Sequence, residues 1–558
     1  MKKNLILSLS LIALAGISLS SCHKPISISA FDIPSELDMN RTYELEFWSK
    51  NDGNVMQASI YTETINEFEK LYPNIKIKNR VYSKYDEIYK DVITNISSKT
   101  PPNICVSYPD HVATYLENEN IVIPLDNLIT NPKYGFSGSE LKYKGIGDNN
   151  IYEKYLKEGE INRTNYTLPF VRSSEALYIN ETYLKMIIDR GYLSLDMYPS
   201  LGVTSYNSYG TPDVPTWDWL WKVCEAAIEA KRAGIPSYSQ NDKTFYPFIY
   251  KSSDNWVIQE FKQLGYDYTS YDEFERKGSA TLFNDKTKDF LIDLSKKAKT
   301  IQVDSTRKTG LYSTFDITTY PANMFNLWEV LLCTDSTAGA TWIGSDAESV
   351  EASYMQYHPD PFSTAVRVIP QHNINNQYMI SQGPSLCIFN NDDKNVCLAS
   401  WIFLQYLLTD DVQLKYSKTE GYIPVTKSAT SSDDYKAYLE NKDNANYQVK
   451  IDASKLVLNN INNTFVTPVF SKSADIRNAA KYLVTAVTGS FNSKNKYTTY
   501  EEIDTLFQKA ITNYELKTDI GSNNNYLAGG IIIVSVIAFV WVLIGIYVYL
   551  DYRKRKVK

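Results

Sequence analysis

The sequence predicts an α/β fold, and three stretches near its start carry that prediction. YELEFW (residues 43–48) and NIKIKNRVY (74–82) alternate apolar and polar residues with the period of two that a strand requires. NICVSY (103–108) is a short apolar run that begins directly after Pro101 and Pro102. Between them, Tyr61, Ile65, Phe68 and Leu71 recur at helical spacing until Pro73 ends the run. Tyr85, Ile88, Tyr89, Val92 and Ile96 share one face of a second helix. The order β-α-β-α-β calls for right-handed crossovers and a parallel sheet covered by helices. Ligands of such sheets bind beyond the carboxyl ends of the strands, here in the loops after Trp48 and after Tyr108.

The rest of the chain continues in this alternating style. Residues 130–165 are polar and glycine-containing, and read as a surface insertion. NYTLPFVRSSEALYIN (165–180) is apolar, then polar, then apolar again, as expected of a strand that crosses between two packed units. Thr216 caps a helix running through Trp217, Trp219 and Trp221 to about Ala230. Those tryptophans alternate along the helix, so they cannot share one face and read as packing residues. NLWEVLLCTDSTAGATWIG (326–344) is a strand opening into a small-residue turn, and YMISQGPSLCIF (378–389) is a strand interrupted by Gly383-Pro384. An apolar helix at 394–408 and GYIPV (421–425) follow. The Ser/Asp/Asn stretches around 427–446 and 518–525 read as loops or a stalk, and no internal repeat is present.

Both ends predict membrane attachment. Leu527 to Leu550 is 24 residues without a charge. As a helix it would be about 36 Å long, enough for a hydrocarbon core of about 30 Å. Arg553, Lys554, Arg555, Lys556 and Lys558 follow it, which places that end in the cytoplasm and everything before Leu527 outside. At the other end, Lys2 and Lys3 precede an apolar run from Leu5 to Ile17 that has signal-peptide length. Leu19-Ser20-Ser21-Cys22 then resembles a bacterial lipobox, in which the chain is cut before a cysteine that receives a diacylglycerol. These readings define a leader (1–21), a lipidated Cys22 opening a tether (22–40), a stalk (516–526), a span (527–550) and a basic tail (551–558). One acyl anchor holds weakly, and the span supplies a second.

Composition narrows the function. The formal charge is −7 although both membrane-proximal ends are basic, so the part between them is more acidic still. That balance argues against binding nucleic acid or an anionic surface. Beyond Cys22 an odd number of widely spaced cysteines remains, with neither a disulfide framework nor zinc spacing, and they read as small buried hydrophobes. The 44 tyrosines follow from a compositional bias, so residue type alone marks none of them as a ligand contact. The chain contains no phosphate-binding GxxxxGK[ST] loop, no HExxH and no GxSxG; GFSGS (135–139) ends on Ser139. The histidines 23, 111, 358 and 372 lie at no metal-binding spacing. No cofactor and no catalytic residue is therefore assigned. A glycosidase working through two carboxylates imposes no fixed spacing and stays open as an alternative.

The order of segments carries a resemblance. FWSK (47–50), INEFEKLYPNIKI (65–77), PPNICVSYPDHVATYL (101–116), IVIPLDNLI (121–129), YTLPFVRSSEALYIN (166–180), PTWDWL (215–220), STAGA (336–340), QGPSLCIF (382–389) and ASWIFLQYLLTDDVQLKYSKTEGYIPVTKSA (399–429) occur in this sequence. Together they resemble extracellular solute-binding protein family 1 of ABC importers, with EGYIPVTKSA similar to that family's signature. The resemblance implies a two-lobed, periplasmic-binding-protein-like clamp of type II over residues 41–515. Lobe one would hold about 41–112 and 376–425, and lobe two about 113–375 and 426–515. A small solute, carbohydrate or glycerol phosphate, would sit between the lobes and pass to separate permease subunits. The terminal span, the insertion near 130–165 and Arg172 depart from the family pattern.

Sugar sites combine aromatic faces with a few fixed polar groups. The candidate ligand-binding residues are Trp48 at the end of the first strand, Tyr108 and Asp110 after the third, Arg172 and Ser173 within PFVRSS, Ser336 in the small-residue turn, Gly383, and Tyr422 in GYIPV. His111, Ser174 and Thr337 accompany them. Asp110 either accepts from solute hydroxyls or caps the helix that begins there. Arg172 suits a phosphate or carboxylate. Gly383 permits close backbone approach or marks a bulge. A ligand-sensing ectodomain of the same fold is a further alternative, although eight residues after Leu550 cannot form an output domain.

Overall fold

The protein is described by a computed structural model covering residues 30–51, 53–236, 244–272, 277–314, 320–345, 361–443, 447–489, 492, 494–516, 544–550 and 552–556. The expected leader and Cys22 lie outside these residues, as do 517–543, which include most of the expected span. Residues 544–550 are helical and exposed, and among the described residues no helix is long and apolar enough to cross a membrane.

The first lobe opens as the periodicity predicts. Strand β1 (Tyr43–Lys50), helix α1 (Val55–Leu71), β2 (Ile75–Tyr82), α2 (Tyr85–Ser97), β3 (Ile104–Ser107) and α3 (Pro109–Tyr115) follow in order. β1 lies between β2 and β3 and runs parallel to both. Asn54 caps α1, its side chain accepting from the Gln57 amide at 3.0 Å. Tyr43, Leu45 and Phe47 project from one face of β1 into a core shared with Phe68 of α1. Trp48 projects from the other face, against Val92 of α2.

The chain then stays in this lobe for longer than expected. Leu125, Leu128, Tyr134, Phe136, Ile146, Ile151 and Tyr155 are buried in the first core. Strand β4 (Leu168–Pro169) completes the first sheet. Residues 113–171 therefore differ from their expected place in lobe two, and the stretch 130–165 is more than a surface insertion. Its apolar residues lie between polar ones at irregular intervals, which conceals the buried side from a periodicity argument.

After Val171 the chain enters the second lobe. Strand β5 (Glu175–Asn180), helix α4 (Trp217–Arg232), β6 (Tyr246–Tyr250), α5 (Ser253–Leu264), β7 (Val330–Ser336) and β8 (Thr364–Val368) build it. The sheet order is β8-β5-β7-β6, with β7 parallel to β6 and antiparallel to β5. Thr216 does cap α4, accepting from the Trp219 amide at 3.1 Å. Trp217 and Trp219 are buried in this core, and Trp217 stacks on Trp221 one turn away.

The chain returns to the first sheet as β9 (Ser385–Ile388), antiparallel to β3 and β4, and continues into the buried helix α6 (Lys394–Tyr406). Helix α7 (Gln448–Asn459) gives Val449 and Ala453 to the second core and Val457 to the first. Helix α8 (Ser473–Thr488) closes over the second lobe.

Three segments pass side by side between the lobes. Arg172 exchanges backbone hydrogen bonds with Ile423 at 3.1 and 2.8 Å, and Ser173 exchanges them with Gln382 at 2.8 and 2.9 Å. The result is a two-lobed α/β clamp whose lobes are joined by a narrow ribbon.

Candidate functional site

A cleft of about 590 Å³ opens between the lobes, beyond the carboxyl ends of the parallel strands. Lobe one contributes Lys50 from the end of β1, Ser83, Lys84, Tyr85 and Asp86 after β2, and Tyr108 after β3. Lobe two contributes Lys251, Ser252 and Asp254 after β6, and Asp335, Ser336, Ala338, Gly339 and Trp342 at and beyond the end of β7. Tyr320, Ala322 and Asn323 form part of the rim, Lys481 comes from α8, and Glu420 and Tyr422 form the floor beside the crossing ribbon. The switch-point rule for open parallel sheets thus locates the cleft correctly.

Aromatic rings stand on both walls. Tyr108 packs edge-on against Tyr85 at 4.8 Å, and Lys50 lies over the Tyr85 ring at 5.7 Å. Burial raises the Tyr108 hydroxyl above its ordinary range, so it stays protonated as a neutral donor. On the opposite wall, Lys251 Nζ donates to both oxygens of Asp335 at 3.0 Å and lies over the Tyr320 ring at 5.0 Å. Burial lowers the Lys251 ammonium, and Asp335 more than offsets this, so Lys251 remains charged. Asp335 also accepts from the Ser336 amide at 2.7 Å. The cleft therefore carries Lys50, Lys84, Lys251 and Lys481 against Asp86, Asp254, Asp335 and Glu420, a balanced set of donors and acceptors. Such a surface can hydrogen-bond polyhydroxylated molecules without demanding a net charge from them.

Tyr108, Ser336 and Tyr422 are the expected residues that line the cleft. Ser336 also caps the following turn, accepting from the Ala338 amide at 3.2 Å. Trp48 does not line it. β1 runs on to Lys50, so Trp48 lies one same-face step below the mouth, 1% exposed, with its indole N–H donated to Glu46 at 3.0 Å. Arg172 is fully buried, ion-paired with Glu158 at 2.8 Å and donating to the carbonyls of Val171 and Pro384 at 3.0 Å. It ties the crossing segments together and faces no solute anion. Ser173 is buried in the ribbon ladder, where its backbone pairs with Gln382. Ser174 and Thr337 join the ribbon to β7: the Ser174 amide donates to the Thr337 hydroxyl at 3.1 Å.

Gly383 has φ +133°, and a Cβ there would lie 2.2 Å from the Val171 carbonyl oxygen. Its close approach is to a neighbouring crossing segment, where a side chain has no room. Asp110 occupies the first turn of α3, while Tyr108 holds the cap position, and its carboxylate lies 3.5 Å from Arg477 of α8. Arg477 also pairs with Asp254 at 2.9 Å and donates to Asn255 at 2.9 Å, linking lobe one to the cleft wall of lobe two. His111 stacks on Tyr89 at 4.4 Å, outside the cleft lining.

The principal omissions, Lys50, Lys251 and Asp335, share one signal. FWSK ends its strand on Lys50, FIYK places Lys251 just past its strand, and LLCTDS carries Asp335 one residue before its strand ends, so each apolar strand has a charge at its carboxyl end. In a parallel strand that position is the carboxyl edge, where a charge is solvated only if it faces the cleft.

A two-lobed clamp with a polar, aromatic-walled cleft at its joint is the architecture of a solute-binding protein. The chain belongs to the bacterial extracellular solute-binding protein family, whose match covers residues 63–443. Comparison with curated protein sequences gives no match. Among solved structures, the fold is similar to the GacH receptor of Streptomyces glaucescens, studied unliganded and with acarbose. That pair is 14% identical, with a TM-score of 0.54 over 85% of this chain and 99% of that one. It is similar to an ABC substrate-binding protein of Listeria monocytogenes in complex with cycloalternan (12% identity, TM-score 0.56, 85% of this chain and 100% of that one). It is also similar to UgpB of Mycobacterium tuberculosis in complex with glycerophosphocholine (14% identity, TM-score 0.55, 84% of this chain and 99% of that one).

Proposed function

We propose that this protein captures a carbohydrate in the interlobe cleft and delivers it to the permease of an ABC importer. The carrying observation is the pairing of Tyr85 and Tyr108 on one wall with Tyr320 and Trp342 on the other, interleaved with balanced acids and lysines. Aromatic faces stack on the C–H surface of a sugar ring, and the charged groups hydrogen-bond its hydroxyls. Carbohydrate ligands of the GacH and Listeria structures support this reading, and the glycerophosphocholine of UgpB supports glycerophosphodiesters as the second class to test. The balanced cleft favours the uncharged class. Lipidation at Cys22 and a helix at 527–550 would hold the clamp on the outer face of the membrane, with residues 551–558 inside.

Thermal unfolding of the purified protein with oligosaccharides and glycerophosphodiesters tests the reading. A solute at a hundred times its Kd adds about 2.7 kcal/mol to stability. Tyr108→Ala and Trp342→Ala should each abolish the shift while leaving the ligand-free midpoint within a few degrees of wild type. If neither solute class shifts the midpoint, capture of these solutes is wrong; shortened glycans after incubation would instead indicate a glycosidase. For the anchors, membrane fractionation of Cys22→Ala, of a chain lacking 527–558, and of both together should release only the doubly altered protein.

A further inference from the structure

We propose that Cys105 and Cys387 are a disulfide-forming pair that ties the first and last parts of lobe one together. They are directly opposite each other on the antiparallel strands β3 and β9, and their sulfurs are 3.5 Å apart across 282 residues of sequence. Both side chains are fully buried in the small core beneath Trp48. In the same register, two residues along, the Phe389 amide donates to the Asn103 carbonyl at 3.0 Å. Cys105 and Cys387 therefore occupy a hydrogen-bonded pair position, for which the Cα separation is about 5.5 Å. That spacing lies inside the range of about 4.4–6.8 Å that a disulfide bridges. Closing the sulfurs to about 2.05 Å needs side-chain rotation and a small approach of the two strands, because the Cβ atoms of such a pair start about 5 Å apart and a disulfide spans about 3.5–4.5 Å; no change of register is needed.

All five described cysteines are free thiols in the structure, but only Cys105 and Cys387 face each other: Cys224, Cys333 and Cys397 lie apart on α4, β7 and α6. Sequence spacing conceals the pair because it is made by strand pairing between distant segments. Extracytoplasmic compartments, where this family works, are the ones in which disulfides persist.

The chemistry is thiol–disulfide exchange with a small organic disulfide. One Cys thiolate attacks the oxidant, and its mixed disulfide is displaced by the second thiolate. The protein gains one S–S bond, the oxidant loses one, and two small thiols leave with the two protons. In the folded state burial pushes the Cys105 thiol well above its ordinary value, and no oxidant reaches it. The bond is therefore set while the sheet is still forming, and then sealed. Once formed, it clamps the strand that presents Tyr108 to the strand that leaves the crossing ribbon.

The test uses the full chain, unfolded with reductant and refolded in detergent with a reduced/oxidised glutathione couple. It is then denatured without reductant and alkylated, and labelling is read peptide by peptide. The expected result is label on Cys224, Cys333 and Cys397, and on Cys22 where it carries no lipid, with a Cys105–Cys387 linked peptide that disappears on reduction. In Cys387→Ser, Cys105 should become fully labelled. Complete labelling of both Cys105 and Cys387 in refolded wild type, or a linkage to any other cysteine, overturns the proposal, and neither reading depends on the variant folding.

Discussion

Replacing Glu175 by Gln is expected to remove a specific loss of stability as the pH rises. Glu175 opens β5 directly after the first crossing and is 1% exposed. Its Oε2 accepts from the Tyr250 hydroxyl at 2.8 Å and from Gln259 Nε2 at 3.0 Å, while Oε1 accepts from Asn255 Nδ2 at 3.0 Å. Gln259 in turn accepts from the Ile380 amide at 3.1 Å, so the cluster also holds the second crossing segment. Burial pushes the Glu175 carboxyl up to about 7 from an ordinary 4.5, although those three donors oppose the rise. The folded protein thus holds this proton more tightly than the unfolded chain. Its contribution is fully present below about pH 4.5 and is lost as the pH climbs through 7. At about 1.4 kcal/mol per pH unit, the interval between those values amounts to about 3 kcal/mol. Urea unfolding of wild type and Glu175→Gln at pH 4.5 and pH 8 isolates it, because other titrating groups cancel in the difference. Wild type should lose about 3 kcal/mol relative to the variant between the two conditions. A difference that stays constant with pH, or moves the other way, refutes the assignment of a buried, proton-holding carboxyl at the joint.

Three further predictions concern the ribbon and the lobe contact. Gly383→Ala should lower stability by at least the 1–3 kcal/mol or so of a strained backbone, since the new Cβ also meets the Val171 carbonyl; an unchanged denaturation midpoint would show that the segments are not so close. Arg172→Met should cost about 3–5 kcal/mol by leaving Glu158 buried without its cation, and Arg172→Met with Glu158→Leu should recover much of it in a double-mutant cycle. Arg477→Gln leaves Asp110 and Asp254 without their shared cation, costing about 1–3 kcal/mol. It should also raise the radius of gyration of the ligand-free protein in solution scattering, and an unchanged radius would show that Arg477 does not hold the lobes together.

Local patterns determined the scaffold. The alternation in YELEFW and NIKIKNRVY, the helical spacing between them and the Thr216 cap became β1, β2, α1, α2 and the start of α4. Each is encoded within about a dozen residues by which side chains face water, so it is legible without knowing the partner. The rule that ligands sit beyond parallel strand ends placed the cleft for the same reason, and Tyr108 with it. Only the tertiary structure decided what each polar or aromatic side chain does there. Trp48 and Lys50 share a face of β1, and two residues of strand length put one in the core and the other at the mouth. Arg172 is structural because Glu158 and two carbonyls converge on it from other parts of the chain. Residues 121–171 belong to lobe one because their apolar side chains, irregular in sequence, find a common core with α6. Burial and charge pairing are set by neighbours brought together by the fold, and no single stretch of sequence contains them.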